Sequence, residues 1–174
     1  MHLSPYKKNC MIQPITLRPE STAVFFQSMM VTSPAFKPGG SIPMTYTCEG
    51  SNINPPMDVE GCPADAVSLA IVVDDPDAPI GTWSHWIAWN IPVTKHIRSN
   101  HLHGEEGLND FLHNQYDGPC PHQGTHEYRF KVYALDCILQ LPATTRQKDL
   151  EKSMAGHILA FGELTGTYQK QKNQ

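Results

Sequence analysis

The sequence predicts a single, mainly-β domain, and three observations carry that prediction. Residues 128–135 (Tyr-Arg-Phe-Lys-Val-Tyr-Ala-Leu) alternate strictly, with Tyr128, Phe130, Val132 and Ala134 on one face. Residues 67–73 (Val-Ser-Leu-Ala-Ile-Val-Val) form a nearly continuous apolar run, as a strand buried on both faces requires. The 15 prolines and 12 glycines break up long helices and favour short strands joined by turns. A chain of 174 residues makes one compact domain with a core and is short for two.

Residues 1–28 show little periodicity and are read as an amino-terminal extension, with Met29 or Met30 as internal starts and residues 29–174 as the domain. Lys7 and Lys8 are present, but Gln13, Pro14, Thr16, Arg18 and Glu20 interrupt any apolar core of a secretory signal. A cytoplasmic protein is therefore expected. Residues 44–48 alternate and predict a strand, and residues 49–56 a long turn. Residues 86–91 predict a strand that Pro92 ends. Residues 93–123 read as a loop, partly ordered at best, with the histidines at 96, 101, 103 and 113 decorating its solvated surface. One helix is expected over residues 146–155. Thr144 or Thr145 would cap it, Leu150 and Met154 share a face at i, i+4, and Gly156 follows its end. A last strand spans residues 158–168.

Charge narrows the function classes. The formal net charge of −4 argues against a generic nucleic-acid binder, which needs a basic face. No run approaches the ~18 apolar residues of a membrane span. The five cysteines (Cys10, Cys48, Cys62, Cys120, Cys137) are odd in number and contain no C-x-x-C. Free thiols in a reducing compartment are the default, and a Cys48–Cys62 or Cys62–Cys120 bridge stays open.

Three segments can carry chemistry. Val73-Asp74-Asp75-Pro76-Asp77-Ala78-Pro79 ends a buried strand in three acids and two prolines. Such a turn is rigid, so it can hold one carboxylate against a pocket, although Asp in turns commonly bonds only its own backbone. Trp83-Ser84-His85-Trp86 places an imidazole beside a strand; Ser84 and His85 are neighbours, and adjacency alone makes no Ser–His dyad. In the block from Gly118 to Tyr128, period-2 geometry puts His126 and Tyr128 on one face if the strand already begins there, with Glu127 facing away. Backbone N–H groups, a hydroxyl and a protonated imidazole there suit phosphate or carboxylate. Asp75, His85, His122, His126 and Cys120 are also metal-ligand types, but no short paired spacing supports a metal, and none is expected.

Read in order, these segments resemble the phosphatidylethanolamine-binding protein family, in its bacterial and archaeal, Raf-kinase-inhibitor-like (YbhB/YbcL-like) branch. The match runs from about residue 30 to residue 169. It takes in Gly50-Ser51-Asn52-Ile53-Asn54-Pro55-Pro56, the acidic turn, Gly81-Thr82-Trp83-Ser84-His85-Trp86, Asn90-Ile91-Pro92, Gly107-Leu108-Asn109-Asp110-Phe111, the 118–128 block and Gly166-Thr167-Tyr168. The resemblance implies a large antiparallel β-sheet packed with a second, smaller sheet and few peripheral helices. It implies an anion-binding pocket for phosphate-like groups or phospholipid headgroups, built from Asp75, His85, His126 and Tyr128. Asp77, Trp83, Gly118, Pro119 and Cys120 would line or shape it. No cofactor and no catalytic residue are implied; a kinase or protease is the protein partner suggested, and a homodimer is left open. Glu127 stands where the family usually has arginine, and His122 where it often has a second proline. The rival reading is a hydrolase or metal-dependent enzyme using His85 or His126 with Asp75.

Overall fold

The computed structural model describes residues 26–171, so the expected extension lies almost wholly outside the described residues. Nine strands and one helix follow in order. They are β1 (Gln27–Ser28), β2 (Met30–Thr32), β3 (Met57–Glu60), β4 (Ser68–Asp75), β5 (Trp83–Ile91), β6 (His96–Ile97), β7 (Glu105–Glu106), β8 (Thr125–Leu135), α1 (Gln147–Met154) and β9 (Ile158–Gln169). A six-stranded sheet runs β1-β9-β8-β4-β5-β7 and a three-stranded sheet runs β2-β3-β6. Every pairing is antiparallel except β1 with β9. The expected large sheet, smaller second sheet and lone helix are all present.

β4 is central and every one of its residues is buried, as its apolar run predicts. Its alternation feeds two cores. Leu69, Ile71 and Val73 pack with Trp86, Tyr128, Phe130 and the small sheet's Val31, Met57 and Val59. Ala70 and Val72 face the other way, with Ile87, Trp89, and Leu150 and Met154 of α1. The i, i+4 pair of the helix is thus its buried stripe.

Four expectations need correction. Residues 44–48 form no strand: Met44–Tyr46 is one 3-10 turn. Both the backbone N–H and the hydroxyl of Thr47 bond back to the Met44 carbonyl, so the segment closes on itself. Neither Thr144 nor Thr145 caps α1; Arg146 holds the cap position without a side-chain bond. The Thr145 hydroxyl is spent on the Pro142 carbonyl. Residues 93–123 are not loosely ordered. They contain β6 and β7, and the fully buried Asn109 bonds the backbone of His85, Phe111, His113 and Gln115. Finally, Cys48 and Cys120 form a disulfide, with Cα atoms 5.4 Å apart across 72 residues, so five free thiols are not what the fold contains. The 3-10 turn carries Cys48 onto the loop bearing Cys120, a juxtaposition no local spacing reveals. Cys137 is disulfide-bonded as well. The thiol argument for a reducing compartment falls with this. Among the described residues, no helix is long and apolar enough to cross a membrane.

Candidate functional site

β4 and β5 meet at the site through an irregular register. Val73 pairs with Trp86, but Asp74 pairs with Ser84 and Asp75 with Trp83, which leaves His85 as the extra residue of a bulge. A bulge re-aims a side chain. Here it turns His85 to the same side as Asp75 and Tyr128, while Ser84 pairs opposite Asp74. β5 begins at Trp83, so His85 lies inside the strand rather than just before it. β8 begins at Thr125, and His126 and Tyr128 share its inner face as alternation requires. Their rings stack at 6.5 Å, and Tyr128 meets His85 edge-on at 5.2 Å.

These four residues line one cavity of about 240 Å³. Trp83 and Cys120 line it too, together with Ala78, Pro79, Ile80, Phe111, Pro121 and His122. Asp77, Gly118 and Pro119 act from behind the wall. The Asp77 carboxylate accepts from the Glu127 N–H at 2.9 Å, tying the acidic turn to β8. Gly118 donates to Asn52 Oδ1 at 2.7 Å, and a Cβ there would collide with the Tyr46 carbonyl, so the loop lies flat only because the residue is glycine. Pro119 O accepts from the Cys48 N–H.

Asp75 is buried and both its oxygens are taken. Oδ1 accepts from the Asp77 N–H at 2.8 Å and Oδ2 from His126 Nδ1 at 2.7 Å. The bland and the functional readings of the acidic turn therefore hold together: one oxygen closes the turn, the other orients an imidazole. With Nδ1–H committed to the carboxylate, Nε2 is the ring's remaining nitrogen. His85 is different. Its Nδ1–H donates to the Asp117 carbonyl at 2.6 Å, and burial drives its pKa below the ordinary histidine value despite Asp75 and Asp117 nearby. His85 is thus a neutral ring with an acceptor at Nε2, not a second positive charge. The Tyr128 hydroxyl is fully buried without a hydrogen bond; it faces the Asp75 carboxylate and the Cys120 backbone N–H. Burial first, then Asp75, pushes its pKa far up, so it stays a protonated donor. The indole N–H of Trp83 is also buried and unpaired.

The neutral His85 makes a testable contribution to stability. The unfolded chain protonates near the ordinary value of ~6.5, before the folded one does. Stability is untouched above that pH and falls as pH drops from there towards the lower folded value. Urea unfolding across pH 7 to 5 should show this loss, and His85→Gln should flatten it; an identical acid limb in the variant would show that the buried ring does not resist protonation.

Sequence reasoning did not find the residues that hold the wall. Asp117 receives His85 through its carbonyl, while its carboxylate accepts from Asn109 at 2.7 Å and pairs with His113 at 2.9 Å. Phe111 packs edge-on against both Trp83 and His85. The sequence signal for Asn109 and Phe111 was their place in the Gly107–Phe111 segment; nothing local marks Asp117. The expected outward direction of Glu127 is seen: it is exposed, alternates with His126 and Tyr128, and lies on the side of Arg129.

Comparison with known proteins agrees with this fold. The family model described as phosphatidylethanolamine-binding protein matches residues 32–169. A UPF0098 protein of Pyrococcus abyssi is 46% identical over 155 residues, covering 83% of this chain and 87% of that protein. One from Pyrococcus horikoshii is 49% identical over 140 residues, covering 74% of this chain and 71% of its own length. Among solved structures, a phosphatidylethanolamine-binding protein homologue of Chlamydia trachomatis, CT736, matches with a TM-score of 0.80 at 38% identity, over 83% of this chain and 99% of that one. Escherichia coli YbcL, titled a member of the mammalian family, matches with a TM-score of 0.76 at 28% identity, with the same coverage. The chain belongs to the phosphatidylethanolamine-binding protein family.

Proposed function

We propose that the protein is a non-catalytic binding module whose cavity takes a phosphate-like anion, in the form of a phospholipid headgroup or a free phosphate ester. The observation that carries the reading is a pair of polar groups left over on one wall: the Tyr128 hydroxyl makes no hydrogen bond of full geometry, facing only Asp75 and the Cys120 N–H, and His126 is oriented by Asp75 with Nε2 left over. An anion oxygen supplies the partner that a buried hydroxyl otherwise lacks. The neutral His85 adds selectivity, because its Nε2 accepts a hydrogen. A monoanionic ester, which still carries one acidic hydrogen, complements the set better than a bare dianion. Asp75 does not repel it strongly, since both its oxygens are engaged.

The cavity rim favours a lipid source. Ile80 is 80% exposed and Leu112, beside the cavity-lining Phe111, is 63% exposed. Large apolar side chains in water around the mouth of a cavity suit a surface that meets lipid. Support for a non-catalytic role comes from the nucleophiles near the cavity: the Cys120 sulfur is bonded to Cys48, and Ser84 is on the other face of β5. Residues 29–174, with β1 (Gln27–Ser28) paired to β9, are taken as the binding unit, and the disulfide-bonded Cys48, Cys120 and Cys137 argue against the cytoplasm as its compartment. A kinase or protease partner and a homodimer have no feature of the site to support them and stay outside the proposal.

Calorimetric titration with inorganic phosphate and phosphorylethanolamine, and sedimentation with phosphatidylethanolamine vesicles, separate the two sources. Tyr128→Phe and His126→Ala should each weaken headgroup binding by about 1–3 kcal/mol. Glu127→Arg should leave it unchanged, because that side chain is on the opposite face. Wild-type affinity in both site variants would show that these residues do not hold the anion.

A further inference from the structure

Away from this cavity, a second cleft of about 380 Å³ is lined by Ile91, Pro92, Thr94, Ile97, Leu102 and a cluster of histidines, with Arg98 beside them. His101 and His103 lie one residue apart, so an extended backbone puts both on one side. An isolated bridge between Arg98 and His101 holds the backbone in that form. The two rings are perpendicular, their centroids 4.4 Å apart, and Nε2 of one is 2.8 Å from Nε2 of the other. His96 lines the same cleft, but its Nδ1 is paired with Asp58 at 2.7 Å.

We infer that His101 and His103 form a two-imidazole site for a divalent late transition-metal ion, of the copper(II) or nickel(II) class. Without metal the contact is a hydrogen bond between complementary tautomers: one Nε2–H donates to the other Nε2. When the donor ring moves its proton to Nδ1, both Nε2 lone pairs are free, and rotation of the two exposed rings turns them from facing each other onto one ion. The spacing selects the geometry. Two nitrogens bound at ~2.0–2.1 Å with a right angle between the bonds lie roughly 2.9 Å apart, whereas a tetrahedral angle sets them roughly 3.4 Å apart. From the hydrogen-bonded 2.8 Å, adjacent corners of a square or octahedron need less separation of the rings than the tetrahedron zinc prefers, and the order of divalent affinities also favours copper(II) and nickel(II). Two protein ligands leave positions open towards the cleft for water or a small anion. Arg98 opposes the cation, and Asp58 is already engaged by His96. The cluster of Asp136, Cys137 and His157 offers no rival of this kind, because the Cys137 sulfur is in a disulfide.

Copper(II) and zinc(II) titrations followed by calorimetry and electron paramagnetic resonance test the site on the full chain. A His2→Ala background removes the histidine that can chelate copper beside a free amino terminus. One copper should bind per chain, with nitrogen hyperfine structure from two imidazoles, and zinc should bind more weakly. His101→Ala and His103→Ala should each weaken copper binding roughly tenfold or more, the scale on which imidazole-site changes act, while His157→Ala leaves it unchanged. Both side chains are exposed, so the variants should melt like the parent. Copper binding that survives both substitutions, or that disappears with His157, would overturn the site; tighter zinc than copper would overturn its geometry.

Discussion

Asp74→Ala should destabilise the fold by about 3–5 kcal/mol, the usual cost of removing one partner from a buried ion pair. Asp74 is fully buried, one residue before the site's Asp75, and strand alternation sends the two carboxylates to opposite faces. Its Oδ1 accepts from Arg129 Nε at 2.7 Å; its Oδ2 accepts from Lys131 Nζ at 2.6 Å and from Gln147 at 3.1 Å. Arg129 and Lys131 come from β8 and Gln147 from the first residue of α1, so one carboxylate joins strand, strand and helix. Alanine leaves Lys131, whose side chain is only 13% exposed, without its counter-charge. The Arg146–Asp110 pair is the control: at 3.3 Å and with both side chains about a third exposed or more, it should contribute less than about 1 kcal/mol. Urea unfolding of Asp74→Ala and Arg146→Ala measures both; Arg146 is the side to remove, because Asp110 also accepts from the Ser84 N–H at 2.7 Å. A loss below about 1 kcal/mol for Asp74 would mean that water reaches the cations and the burial is only nominal.

That contrast shows which parts of the molecule are legible in its residues. Where one strand carries its own period, the sequence suffices. The alternation of residues 128–135 and the apolar run of residues 67–73 mark β8 and β4, and period 2 correctly separates Glu127 from His126 and Tyr128. Met57–Glu60 carries the same signal, with Met57 and Val59 inward, and was readable but short. Legibility ends where backbone groups are satisfied across the fold. Residues 44–48 alternate yet curl into a turn because Thr47 has a nearer acceptor in Met44. Residues 93–123 look unstructured because their order comes from Asn109 and Asp117, polar residues with no period of their own. Motif order grouped the four residues that the fold brings to one cavity. What motif order lacked was the charge state. His85 resembles His126 in sequence, but a bulge buries it against a carbonyl, and burial makes it an acceptor rather than a cation.

The disulfide is the feature least visible in the sequence, and removing it should have the second large effect. A variant carrying Cys48→Ala and Cys120→Ala should lose about 2–4 kcal/mol of stability. A bridge closing a loop of 72 residues has a chain-entropy ceiling slightly above 4 kcal/mol, and measured values commonly fall below such ceilings. The double variant is preferable to a reductant, since Cys137 is also disulfide-bonded. The effect should reach the cavity as well. Cys120 and Pro121 form part of its wall, and the loop that carries them is held to residues 46–52 by the bridge and by four hydrogen bonds: the Cys48 N–H on Pro119 O, Gly118 on Asn52, the Tyr116 hydroxyl on the Tyr46 carbonyl, and the Asn52 amide on Asp117. The four hydrogen bonds hold residues 116–119 near their place but leave Cys120 and Pro121, beyond the last of them, able to shift. The Cys120 N–H facing the Tyr128 hydroxyl is then displaced along with the wall. Phosphorylethanolamine affinity, measured at a temperature where both proteins are folded, should therefore fall in the double variant, while the His85-dependent acid limb of stability, set by burial of the ring in the β5 bulge, persists. Unfolding that matches the wild type in midpoint and slope would mean that the bridge does not form in the native protein, and that the loop over the cavity is held by its hydrogen bonds alone.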